Sequence, residues 1–164
     1  MKQIKIKDGA IHVSSFIRDI EKVEIQKGNE EISKNPEKTA YIKFINSILS
    51  NDPIIKKYLP IDPDTNEIFE KIKDGMIFCK LINKIEEGKI DERSINKNPN
   101  DYQKWQNLNL AISTAKILGL KFGGITSEII MEQSNCPLII KFLGDICIFL
   151  LIHSIGIKKF PEIS

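Results

Sequence analysis

One apolar segment near the carboxyl end constrains the fold more than any other feature. Residues 137–157, PLIIKFLGDICIFLLIHSIGI, carry Lys141 and Asp145 in their first half. Either charge would cost about 2.5–3.5 kcal/mol at the centre of a bilayer, whereas a helix that is apolar nearly all round suits the centre of a helical bundle. The segment therefore predicts a buried core helix, and we expect no membrane partner.

Three further segments have helical periodicity. In residues 38–50 the apolar positions 41, 44, 45, 48 and 49 form one stripe, and Pro53 follows it. The side chains predicted to point outward are Thr39, Lys43, Asn46, Ser47 and Ser50. Residues 62–88 hold a short helix and a longer one, with Asp74 as N-cap and Gly88 as the end. The longer one should bury Met76, Phe78, Cys79, Ile82 and Ile85.

The next helix follows in residues 101–119. Its predicted inner stripe is Tyr102, Trp105, Leu108, Ile112 and Ala115, with Gly119 as C-terminal cap and Trp105 in the core. Residues 120–136 are expected to be a loop with a short turn, and Pro137 suits the first turn of the last helix. The sequence thus predicts an all-α bundle of four main helices with several short connecting helices.

Composition indicates one domain without covalent or metal staples. A chain of 164 residues can bury a single core. Cys79, Cys136 and Cys147 show no C-x-x-C spacing and lie among apolar neighbours, so we expect reduced core thiols and no zinc. The start of the sequence lacks the apolar run of a signal peptide, which predicts a cytoplasmic protein.

Charge is informative only in its distribution. The net charge of +2 gives no reason to expect a nucleic-acid partner. Residues 38–60 hold four basic side chains (Lys38, Lys43, Lys56 and Lys57) against Asp52 alone, a local charge of 4 − 1 = +3. Residues 61–100 hold seven basic and nine acidic side chains and are typical of solvated helix faces. A mild basic patch is therefore predicted in the first half of the chain.

No catalytic or calcium-binding motif is complete. The sequence has no H-E-x-x-H, G-x-S-x-G or P-loop spacing, so we expect no enzyme activity and no cofactor. The stretch DPDTN at 62–66 begins like a calcium loop, but Glu67 and Lys73 stand where the turning glycine and the bidentate glutamate belong. We expect no bound metal there.

The amino-terminal segment allows two local interpretations. Residues 8–20 look like the second half of a calcium loop, yet Ile4, Ile6 and Ser15 replace its oxygen ligands. Alternatively, IKIK-DG-AIHV is typical of a β-hairpin. Both interpretations predict a small strand at Ile11, followed by an amphipathic helix built on Phe16, Ile20 and Val23.

The charged stretch 89–97, KIDERSINK, lies between two predicted helices. Ile90 and Ile95 should anchor it while Asp91 accepts from a backbone N–H group of the following turn and Arg93 reaches a carboxylate or carbonyl. We interpret it as a structural corner, with a direct partner contact as the alternative. Glu92 is expected to be dispensable for stability. Asn107, on the helix after the corner, is expected to satisfy buried backbone groups.

Four phrases, in order, carry a family resemblance. They are YIKFINSILSNDP, LPIDPDTNEIFEKIKDGMIFCKLIN, KIDERSINK and QNLNLAISTAKILG. Residues 38 to about 135 resemble the first calponin homology domain of the fimbrin (plastin) family of actin-bundling proteins. That resemblance implies an amino-terminal segment and linker at 1–37 similar to the tail of a calcium hand, a calponin homology domain at 38–157 and the start of an interdomain linker at 158–164.

The resemblance also implies a function. It predicts an actin-filament binding module of the cytoskeleton that works beside a following calponin homology domain. The expected filament contacts are Lys38, Lys43, Ser47, Lys56 and Lys57, with Lys141 on the last helix. Two alternatives stay open: an adaptor domain of the same fold without filament affinity, and a calcium sensor built on the amino-terminal segment.

Overall fold

A computed structural model of the chain describes residues 14–22 and 35–154, and within these ranges it contains helices and no strands. The α-helices are α1 (14–22), α2 (Pro36–Ile48), α3 (Glu67–Lys71), α4 (Met76–Ile85), α5 (Asp101–Leu118), α6 (Ser127–Glu132) and α7 (Cys136–Ser154). Two short 3-10 turns, Ile55–Tyr58 and Glu92–Ser94, connect them. The predicted all-α bundle with four main helices, here α2, α4, α5 and α7, is confirmed.

Helix α7 lies at the centre of the bundle. It packs against α2, α4 and α6, and α4 also packs against α5. The buried apolar side chains of α7 are Ile139, Ile140, Phe142, Leu143, Ile146, Cys147 and Leu150. Residues Cys136–His153 are long and apolar enough, by length and composition alone, to cross a bilayer. In the described part of the chain this helix forms the core, as its sequence predicts.

Two glycines allow close contact between helices. A Cβ atom on Gly144 of α7 would lie 2.4 Å from ring carbons of Tyr41, so α2 can cross α7 here only because the side chain is absent. Gly75 has a φ of +80° immediately before α4, and a Cβ there would lie 2.6 Å from the Cβ of Asn107. A larger residue at either position would push two core helices apart.

Several helix boundaries differ from the predicted ones. The N-cap position of α4 is Gly75, although the carboxylate of Asp74 still accepts from the N–H of Met76 at 3.0 Å. The same helix ends at Ile85 rather than at Gly88. Residues 120–136, expected to be a loop with a turn, contain the helix α6, which the Thr126 side chain caps. Gly119 does cap α5, with a φ of +102°.

Burial also corrects parts of the predicted inner stripes. Trp105, expected in the core, is half-buried because its indole N–H reaches outward to Glu128 at 2.6 Å. Tyr102 is 64% exposed and stacks on Trp105. Asn46, expected to face solvent, instead donates to and accepts from the backbone of Ile61. The indole of Trp105 and the amide of Asn46 each have a partner that helical periodicity alone does not show.

The predicted amino-terminal helix is present as α1. Phe16 is 1% exposed, and its ring stacks on Phe44 of α2 with centroids 4.4 Å apart. Ile20 is half-buried against the same core. The predicted strand at Ile11, the hairpin and Val23 lie outside the described residues. The contact shows that part of the 1–37 segment packs directly on the bundle.

The three cysteines are free. Cys79 and Cys147 are buried and Cys136 is partly buried. Burial raises the pKa of the Cys79 thiol to about 12, with smaller contributions from the nearby carboxylates Glu92 and Asp74. At neutral pH this thiol is therefore protonated and acts as a core side chain.

Candidate partner-binding surface

The outward face of α2 carries two of the predicted contact residues. Asn35 caps this helix, because its side-chain oxygen accepts from the N–H groups of Glu37 and Lys38 at 3.1 Å. The inner face buries Tyr41, Phe44 and their apolar neighbours. Lys43 is therefore turned to solvent. Ser47, one turn later, is half-buried.

Lys38 does not belong to this exposed surface. It is only 8% exposed, and its ammonium donates to the carbonyl oxygens of Pro63 at 3.1 Å and Thr65 at 2.5 Å. These carbonyls belong to the stretch DPDTN that begins like a calcium loop. A lysine cation thus lies against the oxygens of that stretch and ties it to the start of α2. The +3 patch of the sequence loses one cation to the interior.

The 3-10 turn after α2 carries the next two predicted contacts. Lys56 and Lys57 are both exposed. The turn is held at its start by Asp52, whose Oδ1 accepts from the N–H groups of Ile54 at 2.9 Å and Ile55 at 3.0 Å. At its other end the phenol of Tyr58 donates to Asp74. We call Lys43, Ser47, Lys56 and Lys57 the basic surface.

The last predicted contact lies on a different helix. Lys141 is exposed on α7 and pairs with Asp145 one turn later at 3.4 Å. An exposed i,i+4 pair of this kind contributes only about 0.3–0.5 kcal/mol, so it leaves the lysine available to a partner.

The charged corner at 89–97 has the predicted internal geometry. Ile90 and Ile95 are buried, and Asp91 accepts from the N–H of Arg93 at 2.9 Å. The Arg93 guanidinium also donates to the Asp91 carboxylate at 2.8 Å. These hydrogen bonds hold the pKa of Asp91 below its usual range. Asn107 satisfies buried backbone groups as expected, since it accepts from Asn96 at 2.9 Å.

Glu92, in contrast, has a role that the sequence interpretation missed. Its carboxylate accepts from the ammonium of Lys80 at 2.5 Å and from the side chain of Asn83 at 2.9 Å. Lys80 lies on α4 and is only 6% exposed, and its ammonium also lies 3.3 Å from Asp52. Glu92 is exposed, as predicted, but its removal would deprive a buried cation of one partner, so its dispensability for stability stays a prediction to be tested.

The ionisation of Lys80 and Asp52 fits the geometry of this ion cluster. Burial lowers the pKa of Lys80, but the hydrogen bond to Glu92 and the charge of Asp52 outweigh it and leave that pKa above its usual value. Burial likewise raises the pKa of Asp52, yet the N–H groups of Ile55 and Ile54, together with Lys80, bring it below its usual value. Both groups are charged at neutral pH. A lysine inside the apolar run MIFCKLIN was the sequence signal for this cluster.

The described residues offer no metal centre. Within 14–22 and 35–154, no group of three or more histidine, cysteine, aspartate or glutamate side chains is arranged to hold a metal ion. The amino-terminal residues Ile4 and Ile6, on which the calcium question depends, lie outside these ranges. The described surface offers a partner exposed cations on packed helices and the turn between them.

The sequence of these helices matches a known domain family. The calponin homology (CH) domain model matches residues 35–147. The chain belongs to the calponin homology domain family. The match covers α2 to the middle of α7, so the basic surface and the corner at 89–97 both lie inside it.

The relatives of this chain include fimbrins and plastins, as the sequence resemblance predicts. Fimbrin-4 of Arabidopsis thaliana is 38% identical over 77% of this chain and 20% of its own length. Plastin-1 of Bos taurus is 32% identical over 80% of this chain and 22% of its own. The chain thus spans about a fifth of the length of the curated relatives that it matches.

A solved fimbrin structure is also similar to this chain, in sequence and in fold. The actin-crosslinking core of Schizosaccharomyces pombe fimbrin is 35% identical, with a TM-score of 0.63. The similarity covers 67% of this chain and 24% of that core.

Proposed function

We propose that this chain is an actin-filament binding module of a fimbrin-like bundling protein in the cytoskeleton. The observation that carries the proposal is the similarity, in sequence and in fold, to the actin-crosslinking core of a fimbrin. It favours filament binding over the adaptor alternative. The module acts by binding and not by catalysis.

The basic surface is the contact that we propose. Lys43, Lys56 and Lys57 are exposed cations on one helix and the turn that follows it, and Ser47 supplies a hydroxyl on the same helix. Actin filaments are acidic, so these cations match their charge. Lys38 is left out because its ammonium is bound to backbone carbonyls. Lys141, exposed on α7, is proposed as an additional contact.

The domain division is proposed from the same family resemblance. We propose that residues 38–157 form the calponin homology domain, that 158–164 begin the link to a following domain of the same type, and that 1–37 are an amino-terminal segment and linker. The packing of Phe16 on Phe44 supports a segment that rests on the domain. A following domain would raise the effective concentration of the first at the filament, so the pair should bind more tightly than this chain.

Co-sedimentation with actin filaments tests the proposal. We expect weak binding that decreases as salt rises, because exposed charges are screened over a Debye length of about 8 Å at physiological salt. Lys43→Glu should reduce binding while helical circular dichroism is retained. The matched control is Lys121→Glu, which reverses an exposed charge on the loop after α5 and should leave binding unchanged.

Two results would contradict the proposal. Absence of co-sedimentation, both for this chain and for a longer chain with the following domain, would remove filament binding and favour the adaptor function. Equal losses for Lys43→Glu and Lys121→Glu would show that net charge, and not the basic surface, governs binding.

A further inference from the structure

A buried cation connects the basic surface to the core. Lys80 of α4 is 6% exposed, and its ammonium lies 2.5 Å from Glu92 and 3.3 Å from Asp52. Asp52 itself is mostly buried, whereas Glu92 is half-exposed at the charged corner. One lysine therefore joins three separate parts of the chain: helix α4, the corner and the segment after α2.

Asp52 connects Lys80 to the turn that carries the exposed lysines. One oxygen of its carboxylate, Oδ2, faces Lys80, while the other, Oδ1, accepts from the N–H groups of Ile54 and Ile55. Its backbone carbonyl accepts from the N–H of Lys56 at 2.9 Å. The position of Asp52 therefore sets the path of the backbone into Lys56 and Lys57.

A buried ion cluster as a whole is not required for stability, although removing one partner from it is destabilising. Taking two charges out of water costs about as much as their attraction returns, and apolar side chains of similar volume often do as well or better. Met76, Ile77, Phe78, Cys79, Leu81 and Ile82 around Lys80 on α4 are all buried apolar residues. What the ion cluster adds, and an apolar side chain could not, is a fixed position for the Asp52 carboxylate.

We propose that Lys80 is a positioning residue for the basic surface: through Asp52 it holds the Ile55–Tyr58 turn in the conformation that presents Lys56 and Lys57 to an acidic filament. This inference rests on the proposed function. The physical gain is preorganisation, because a turn already fixed loses less conformational entropy when its side chains meet the partner. Tyr58, bound to Asp74, fixes the other end of the same turn.

The decisive experiment is a double-mutant cycle on filament affinity. Lys80→Met is combined with Lys56→Gln/Lys57→Gln, and Lys84→Met, at an exposed lysine one turn along α4, is the matched control. We expect Lys80→Met to weaken binding about two- to tenfold in the otherwise unchanged chain, within the range of couplings between neighbouring residues. It should have no further effect when Lys56 and Lys57 are already neutral, and Lys80→Arg should restore most of the affinity.

An equal loss of affinity in both backgrounds would overturn the positioning role. It would mean that Lys80 supports the fold in general and not the two lysines of the turn. Asp52→Asn keeps a side-chain oxygen for the two N–H groups but removes the charge facing Lys80, and it serves as a second variant if Lys80→Met fails to fold. Asp52→Asn should also weaken binding in the otherwise unchanged chain and should have no further effect when Lys56 and Lys57 are already neutral.

Amide hydrogen exchange without filaments separates this inference from the proposed function. In Lys80→Met, or in Asp52→Asn, the N–H groups of Ile54 and Ile55 should exchange faster than in the unchanged chain. The exchange rates of N–H groups in the middle of α5 should change no more than they do in the control Lys84→Met. Unchanged exchange at Ile54 and Ile55 would overturn the inference even if filaments bind. If Ile54 and Ile55 exchange faster in these variants but the chain binds no filaments, the positioning geometry stands and the proposed partner is rejected.

Discussion

Two charged regions that look alike in the sequence differ in the structure. The basic segment from Lys43 to Lys57 places three cations in solvent, whereas the corner 89–97 turns Glu92 toward the buried Lys80. The first offers exposed cations to a partner, and the second supplies an anion to a buried cation. Whether a charged stretch forms a surface or a structural element therefore depends on the residues around it in space. Lys38 and Lys80 are lysines whose ammonium groups, unlike the exposed ones, are bound inside the domain.

The largest expected effect is on the anchor of the corner. Ile95→Ala should lower the free energy of unfolding by about 2–5 kcal/mol, because it empties a buried aliphatic site. Ile117→Ala is the matched control, since this isoleucine is 71% exposed, and its effect should stay within about 0.5 kcal/mol. Urea titrations of both variants make the measurement. Similar losses would show that the corner is not anchored in the core.

Glu92→Ala should have a smaller but clear effect. We expect a loss of about 1–2 kcal/mol in the free energy of unfolding, because Lys80 loses a charged hydrogen-bond partner. The loss is no larger because the Glu92 side chain is half-exposed and solvent screens part of the interaction. Glu132→Ala, at an exposed carboxylate on α6, is the control and should change stability little. If the two variants unfold at the same urea concentration, the link from Glu92 to Lys80 is unimportant for stability.

The third effect depends on pH. The pKa of Asp52 lies below its ordinary value of 3.8, so the stability that this shift provides is present at neutral pH and is lost as pH falls through the folded-state pKa. The pKa of Lys80 is raised, so its contribution is lost only as pH rises above about 10.5. The stability difference between the unchanged chain and Lys80→Met should therefore be flat from about pH 5 to pH 9 and shrink below about pH 4. Urea titrations at pH 3, 5, 7 and 9 measure it, and a difference that does not shrink in acid would contradict the pairing.

The sequence was sufficient for the fold because apolar spacing reports helices directly. The stripe at Tyr41, Phe44 and Ile45 and the apolar run of α7 are confirmed as core. Caps such as Gly119 are equally local signals. The family resemblance, carried by continuous phrases between residues 38 and 135, agrees with the match over residues 35–147.

The sequence was insufficient where a side chain's partner lies far along the chain. Lys38 binds carbonyls at Pro63 and Thr65, and Lys80 pairs with Asp52 and Glu92. A lysine's long side chain can point to solvent or fold back onto an acceptor, and periodicity does not distinguish the two. For this reason the predicted basic patch included Lys38, whose ammonium is bound inside the domain, and the ion cluster around Lys80 was not predicted.

Electron cryomicroscopy of filaments decorated with this chain and a following domain tests the central claim most directly. It shows which face of the calponin homology fold meets the filament. We predict that the outward side of α2 at Lys43 and Ser47, and the turn at Lys56 and Lys57, lie against acidic side chains of actin. A filament interface formed instead by the exposed face of α5 around Tyr102, with Lys43 and Lys56 in solvent, would contradict the account.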